Sequence, residues 1–185
     1  NGETSQSSGG GGRVAVYYEE FAGFSPATQI DAFGGVGGAI ASAGTIYLKR
    51  GNEAGELVIA NNGVTSRPVT PIWLPEGANE ICNVTISGTG QVSEIWSERL
   101  VVSNLTLRSG ALLSHPAATT NSEYDLKLFV LGTVTVDGTS AIDASGKGYL
   151  PGRTLGNTTL GGATGRGGGS YGGMGGNHQG TPSAP

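Results

Sequence analysis

The sequence predicts an all-β fold and, within that class, a right-handed parallel β-helix (a solenoid) with Gly-rich terminal segments. Three segments carry this prediction: Asn83-Val-Thr-Ile-Ser-Gly88, Asn104-Leu-Thr-Leu-Arg-Ser-Gly110 and Thr133-Val-Thr-Val-Asp-Gly138. Each reads polar, apolar, Thr, apolar and then a turn containing Gly, and a further apolar residue follows each turn at Val92, Leu112 and Ile142. A strand-sized motif that recurs at such intervals is typical of a coiled β-solenoid.

The alternation within the three segments has a period of two, which is the period of a β-strand and excludes an amphipathic helix. The apolar residues should therefore share one buried face: Val84, Ile86, Leu105, Leu107, Val134 and Val136. Successive motifs are offset by 21 and 29 residues, and we place the eight extra residues of the second interval in the polar loop 115–122. A hairpin meander would also give alternating strands with Gly turns, so a β-sandwich remains the alternative.

The chain before residue 81 contains further candidate strands. Arg13–Glu20 is rich in β-forming residues, and Gln29–Phe33 is predicted to be a short second strand. Gly44–Lys49 and Glu56–Ala60 are predicted to form a pair of strands around the turn Gly51–Gly55. Three prolines between Arg67 and Pro75 predict an edge or crossover there, with Trp73 packed over a coil end.

Glycine is unusually abundant, with 35 of 185 residues against a typical share of about 7%. It concentrates in a Gly/Ser-rich N-terminal arm (1–12) and a Gly-rich C-terminal tail (149–185), which flank a β-solenoid domain at 13–148. The sequences Ile30-Asp-Ala-Phe-Gly34 and Ile142-Asp-Ala-Ser-Gly146 each lead into a glycine-rich stretch. Such stretches are either disordered or ordered through very close backbone approach, as in polyglycine-II-like stacks, and we expect order only where a second chain or repeat covers them.

Composition excludes several functional classes. Only 13% of residues are charged, the formal net charge is −4, and no basic run is present, so no nucleic-acid partner is expected. No apolar segment is long enough to cross a membrane. The single cysteine, Cys82, should point inward as a small buried hydrophobe, and no cysteine or histidine cluster predicts a metal site, a disulfide or a cofactor. The Ser/Thr/Gly/Asn-rich composition and the start at Asn1 favour a processed, secreted or cell-surface protein, or a segment of one.

Several stretches together resemble the glycine-rich β-helical repeat regions of very large secreted or cell-surface bacterial proteins. They are Gly-Gly-Gly-Gly-Arg-Val-Ala-Val-Tyr-Tyr (9–18), the repeated Ile-Asp-Ala-x-Gly, Ala-Gly-Thr-Ile-Tyr-Leu-Lys (43–49) and the glycine-rich tail (152–173). The resemblance covers most of the chain. It implies a β-helical architecture and an extracellular location more than any activity.

Catalytic candidates are few, and we expect no enzymatic activity. His115 and His178 are interpreted as exposed loop residues, without a nucleophile or an orienting acid nearby. The alternative is a polysaccharide-active β-helix enzyme, a lyase or depolymerase, which requires a carboxylate cluster in a groove. Its candidates are Asp125, Asp137 and Asp143 with Lys127 and Lys147, although side-chain bonds to turn backbone account for Asp137 and Asp143.

Outward-facing positions give the candidate binding residues. If the apolar residues point inward, a ladder of amides and hydroxyls stacks on the outside: Asn83, Thr85, Asn104, Thr106, Thr133 and Thr135. Cross-strand stacking alone explains such a ladder, whereas a flat hydroxyl array could also bind ice or an ordered polysaccharide. Asn83, Asn104 and Asn157 are in addition Asn-x-Ser/Thr glycosylation acceptors in a host that glycosylates secreted proteins.

The function predicted from the sequence is that of a non-catalytic structural subunit or segment of an extracellular fibre, sheath or adhesin. Its partner is itself, or a neighbouring repeat of the same chain, joined end to end through the Gly-rich termini and the open coil ends. A polysaccharide-active enzyme and an ice- or glycan-binding surface are the two alternatives.

Overall fold

The computed structural model describes residues 8–37, 39–63, 69–72, 82–96 and 99–184. These residues form twelve strands, one helix of a single turn and one short 3-10 turn. The strands are β1 Arg13–Tyr18, β2 Thr45–Arg50, β3 Glu56–Ala60, β4 Thr70–Ile72, β5 Asn83–Ser87, β6 Val92–Ile95, β7 Leu100–Val102, β8 Leu105–Arg108, β9 Leu112–Ser114, β10 Leu128–Val130, β11 Val134–Val136 and β12 Ala141–Ile142. The helix α1 is Pro26–Gln29 and the 3-10 turn is Leu155–Asn157.

The strands belong to three sheets, and from β7 onward the chain visits all three twice in the same order. The six-stranded sheet has the order β1-β2-β3-β5-β8-β11, the four-stranded sheet β12-β9-β6-β4, and the two-stranded sheet β10-β7. The chain therefore passes through the two-, six- and four-stranded sheets as β7-β8-β9, and passes through them again in that order as β10-β11-β12. Among the described strands, β2 with β3 is the one antiparallel pair, and every other pair is parallel.

The three motif segments lie side by side as predicted. Val84 is paired with Leu105, and Leu105 with Val134, in parallel register. This register extends to one row across all six strands, in which Leu57, Val84 and Leu105 are buried, Tyr47 is half-buried and the two end members are exposed. We call it the core row: Ala15, Tyr47, Leu57, Val84, Leu105 and Val134. Cys82 is also buried, as predicted.

Burial along the core row corrects one prediction. Val84 and Leu105 are fully buried, as are Ile86 and Leu107, but Val134 is 48% exposed and Val136 is 40% exposed. The reason is topological, because β11 is the last strand of its sheet and no further strand packs beyond it. The expected buried face therefore ends one strand earlier than the motif does.

The N-terminal half differs from prediction at one element. Residues 29–33 do not form a strand: Pro26 starts α1, and the extended chain after it is held by single bonds such as that from Gly44 N–H to Ala32 O. Proline suits the first helical turn because its missing N–H has no intrahelical partner there. The pairing of β2 with β3 and the turn between them are confirmed. β4 is the edge strand expected near the prolines, whereas Trp73 lies outside the described residues.

The chain divides into two compact units: one contains residues 1–114 and 127–143, the other residues 115–126 and 144–185. The second unit, in its described part, is ordered by glycine-mediated backbone contacts. A Cβ on Gly169 would lie 2.3 Å from Tyr149 O, and one on Gly165 would lie 2.3 Å from Gln179 O. Neighbouring segments of this one chain thus supply the cover that the sequence analysis assigned to a second chain or repeat.

The same packing occurs within the first unit, before β1 and β2. A Cβ on Gly11 would lie 2.1 Å from Ala32 O, and Gly11 N–H donates to Ser42 O at 3.0 Å. Three glycine-containing stretches, 9–12, 32–35 and 41–44, therefore approach one another more closely than any residue with a side chain allows.

Candidate functional site

The predicted asparagine ladder exists as a chain of hydrogen bonds. Asn104 Nδ2 donates to Asn83 Oδ1 at 2.8 Å, and Asn104 Oδ1 accepts from Thr133 N–H at 2.8 Å. The side chain of Asn104 therefore uses both its donor and its acceptor to connect β5, β8 and the residue before β11. This is a structural role, and ligand binding by Asn83, Asn104 and Thr133 stays a prediction.

The threonines of the same segments form a separate column, which we call the threonine row: Thr85, Thr106 and Thr135. They are paired in register across β5, β8 and β11, so neighbouring rungs are about 4.8 Å apart. No described residue forms a hydrogen bond with their hydroxyl groups. Thr135 is exposed and the other two are half-buried. These three hydroxyl groups are thus available to a ligand, unlike the amide groups of the ladder.

A third outward column was missed by sequence reasoning. Ser87 is paired with Arg108, and the next member is Asp137, the residue directly after β11, whose N–H donates to Leu107 O at 3.1 Å. The signal was present in the sequence, since each of these residues lies two positions after a threonine of the row. The guanidinium of Arg108 is exposed and forms no ion pair with a described residue. The column therefore adds one cation, Arg108, and one anion, Asp137, to the polar face.

The carboxylate of Asp137 is occupied by turn backbone. Oδ2 accepts from Ser109 N–H at 2.6 Å, and Oδ1 accepts from Thr139 N–H at 2.9 Å and from Thr139 Oγ1 at 2.8 Å. The bond from Ser109, followed by those from Thr139, holds the pKa of Asp137 well below its usual range. Because a carboxyl group of this kind stays ionised, Asp137 is suited to fixing two successive turns and unsuited to acting as a general acid.

The other candidate acid and base residues are divided between the two compact units. Asp125 belongs to the second unit and Asp143 to the first, and the backbone of Asp143 bonds to Leu113 and Ser114. Lys127 is exposed, and Lys147 is half-buried in the second unit. His178 is exposed, as expected, but His115 is 2% exposed and its Nδ1 lies 2.8 Å from Pro116 O, which corrects its interpretation as an exposed loop residue. Proline-flanked loops favour exposure, but here the ring fills the interior.

In two of the three glycosylation candidates, the amide nitrogen that would carry the glycan already donates a hydrogen bond. Nδ2 of Asn104 is bonded to Asn83, and Nδ2 of Asn157 donates to Thr119 O at 3.1 Å. Asn157 is further held by Glu123, which accepts its N–H, and by Arg153. In the folded chain a glycan on either nitrogen would replace an existing bond.

The first unit also presents an open edge, which we define as the strands β10, β11 and β12. Each is the last strand of its sheet. Large apolar side chains are exposed on or beside all three: Phe129, Leu131, Val134, Val136 and Ile142. Ile142 is paired with Leu113 and not with Leu112. It therefore continues a column whose inner member is fully buried.

Backbone groups at the open edge are unpaired at the same inward-facing positions. Leu105 N–H donates to Thr133 O, and Asp137 N–H donates to Leu107 O, so the backbone of residues 133, 135 and 137 faces β8. In a parallel ladder the intervening residues face the other way. The N–H and C=O groups of Val134 and Val136 therefore point away from β8, toward the open side of the sheet. The hydrogen bonds of the residues on either side of Ile142 show that its N–H and C=O groups also point away from the sheet.

The described residues contain neither a metal-binding cluster nor a membrane-spanning helix. They contain no group of His, Cys, Asp or Glu residues arranged to hold a metal ion. None of their helices is long and apolar enough to span a membrane. Comparisons of the chain with protein-family models, with curated proteins and with solved structures found no match.

Proposed function

We propose that this chain is a non-catalytic structural subunit or segment of an extracellular fibre, sheath or adhesin, built as a right-handed parallel β-helix that assembles end to end. The repeated passage through three sheets in one order supports the β-helical architecture. Parallel strands joined by crossovers are almost always right-handed, which supports the handedness. The secreted or cell-surface location rests on composition and on the resemblance to glycine-rich repeat regions.

The observation that carries the assembly proposal is the open edge. A strand edge that exposes both unpaired backbone groups and apolar side chains is a template for a further strand. At Val134 and Val136 both features occur on the same residues, so one added layer would satisfy the backbone and bury the side chains together. A contact between this edge and the opposite end of a second copy does not close on itself and would propagate a filament.

The composition of the open edge favours self-association over the binding of a soluble ligand. Its exposed residues are aliphatic and aromatic, and a ligand site of that composition normally includes a few convergent polar groups in a concavity. The glycine-rich segments add a second surface suited to packing against copies of the chain, since backbone-to-backbone contact between glycines needs no specific side-chain partner.

Sedimentation velocity and electron microscopy over a range of protein concentrations test this proposal. We expect concentration-dependent assembly into filaments, and we expect Val136→Lys to abolish it because the substitution places a charge at the junction. Thr135→Lys is the matched control, since its backbone faces β8 and its side chain points to the outer face. A native chain that stays monomeric at high concentration would contradict the proposal, and so would equal assembly by Val136→Lys.

The threonine row supports a second candidate function, the binding of ice or of an ordered polysaccharide surface. Its three hydroxyl groups are in register across neighbouring strands, and no residue in the described part of the chain forms a hydrogen bond with them. Pull-down by insoluble polysaccharides and an ice-growth assay test this function. Thr106→Tyr should abolish binding while the fold survives, whereas Thr120→Tyr in an exposed loop should have no effect. Equal binding by both variants would exclude the threonine row as the site.

A further inference from the structure

Two polar atoms in the interior of the first unit have no hydrogen-bond partner. Gln91 and Ser93 are both fully buried, and Gln91 Oε1 and Ser93 Oγ are left unpaired. Buried polar groups are nearly always bonded to protein or to ordered water. Two such unpaired atoms on residues that are two positions apart therefore require a physical explanation.

The orientation of the Gln91 amide is fixed by its neighbours. Nε2 donates to Thr70 Oγ1 at 2.9 Å and to Val92 O at 3.1 Å. Val92 O can only accept, and the hydroxyl of Thr70 already donates its proton to Ala43 O at 2.7 Å. A flipped amide would place its carbonyl oxygen against two acceptors. The unpaired atom is therefore the carbonyl oxygen of Gln91 and not its NH₂ group.

The two orphan atoms belong to one small region. Ser93 is the register partner of Thr70, the residue to which the Gln91 amide reaches. Gln91 and Ser93 are separated by one residue and so point to the same side of the strand. Next to Gln91 in the following strand lies the fully buried Ala111, since Leu112 N–H donates to Gln91 O.

We propose that a single buried water molecule occupies this region, donating a hydrogen bond to Gln91 Oε1 and accepting one from the Ser93 hydroxyl. The chemistry of the site selects water over a cation, because Thr70, Gln91 and Ser93 are all neutral and a buried charge requires a counter-charge. The water would extend the chain of bonds from Ala43 through Thr70 and Gln91 to Ser93. It would thereby link β6 and β4 to the segment that leads into β2 through polar contacts inside an otherwise aliphatic core.

The effect of Ser93→Ala on thermal stability tests the proposal, because its sign depends on the water. If the water is present, the variant loses one of its bonds and Tm falls by about 2–4 °C. If the site is dry, the variant removes an unsatisfied hydroxyl and Tm rises. Ser87→Ala, a half-buried outward position on β5, is the matched control and should leave Tm within about 1 °C.

Water relaxation dispersion of the intact chain gives a second, independent measurement. The native protein should hold one more long-lived internal water molecule than Ser93→Val, whose extra methyl group fills the space. An unchanged number of long-lived waters in Ser93→Val, or a rise of Tm in Ser93→Ala, would overturn the proposal. Neither measurement depends on whether the chain assembles into filaments.

Discussion

Leu105 and Val134 occupy the same row in successive strands, and truncating each to alanine should have very different costs. Leu105 is fully buried between Val84 and Val134, so Leu105→Ala removes its side chain from a packed core. Such substitutions cost about 2–5 kcal/mol, including the cavity left behind. Val134→Ala removes two methyl-sized groups worth ~0.8 kcal/mol each when buried. Because Val134 is 48% exposed, we expect about half of that sum, ~0.8 kcal/mol.

Urea unfolding followed by circular dichroism, at protein concentrations below and above the onset of assembly, measures both costs. For a chain of this length, the cost of Leu105→Ala corresponds to a fall in Tm of roughly 4–20 °C. The cost of Val134→Ala should rise with protein concentration, since a second copy at the open edge would complete the burial of Val134. Equal costs for the two variants at low concentration would refute the assignment of the open edge. A cost for Val134→Ala that does not change with concentration would refute its burial by a second copy.

Three further predictions follow from the structure. Because the pKa of Asp137 is lowered in the folded chain, the stability that it contributes is present above about pH 4 and is lost as the pH falls toward the lowered pKa. Asp137→Asn should flatten the acid limb of a plot of Tm against pH, and an unchanged limb would count against the turn bonds. Gly11→Ala should destabilise the chain by about 1–3 kcal/mol through its clash with Ala32 O, whereas Gly12→Ala, which has open space, should be neutral or stabilising by up to about 1 kcal/mol. The opposite order in thermal unfolding would contradict the glycine packing. Asn104→Ala should cost about 1–2 kcal/mol because it removes two ladder bonds, and a neutral result would show that the ladder contributes nothing.

The sequence was sufficient to predict elements that follow from periodicity. Strict alternation placed Val84, Ile86, Leu105 and Leu107 on one face, and the 21-residue offset aligned β5 with β8. Periodicity describes which residues point inward, but it does not state whether a further strand will cover them. The exposure of Val134 is a property of its position at the end of a sheet, so the motif alone could not predict it.

Other features depend on contacts between distant segments and were beyond sequence reasoning. The Thr70 hydroxyl, 21 residues before Gln91, donates its proton to Ala43 O and can therefore only accept from Gln91. The NH₂ group of Gln91 must face Thr70 for this reason, which leaves the carbonyl oxygen of Gln91 without a partner. His115 is buried although its flanking Pro116 favours an exposed loop. By contrast, alternation alone predicted which asparagines and threonines lie next to one another across the strands, but only the structure shows that Asn104 bonds to Asn83 and that no described residue bonds to the threonine hydroxyls.

The reversal between β2 and β3 makes the two ends of the six-stranded sheet unequal, and this difference determines how copies can join. β1 runs opposite to β11, because β1 is parallel to β2 and β3 is parallel to the strands that lead to β11. The core row ends at Ala15 on one side and Val134 on the other, and both are exposed. A head-to-tail stack therefore brings Ala15 of one copy against Val134 of the next across an antiparallel junction.

Cysteine cross-linking under mild oxidation distinguishes this arrangement from a closed dimer. Opposed residues of an antiparallel pair have Cα atoms about 4.5–5.5 Å apart, a separation that suits a disulfide. In a head-to-tail stack, Ala15→Cys and Val134→Cys chains should form disulfide-linked dimers when mixed and no disulfide when oxidised separately, with the native Cys82 buried and inert. In a closed dimer formed through β11 alone, Val134→Cys should cross-link to itself without the second variant. That result would leave the open edge as a contact surface but would exclude a head-to-tail filament, since a two-fold contact pairs the open edges of two copies with each other.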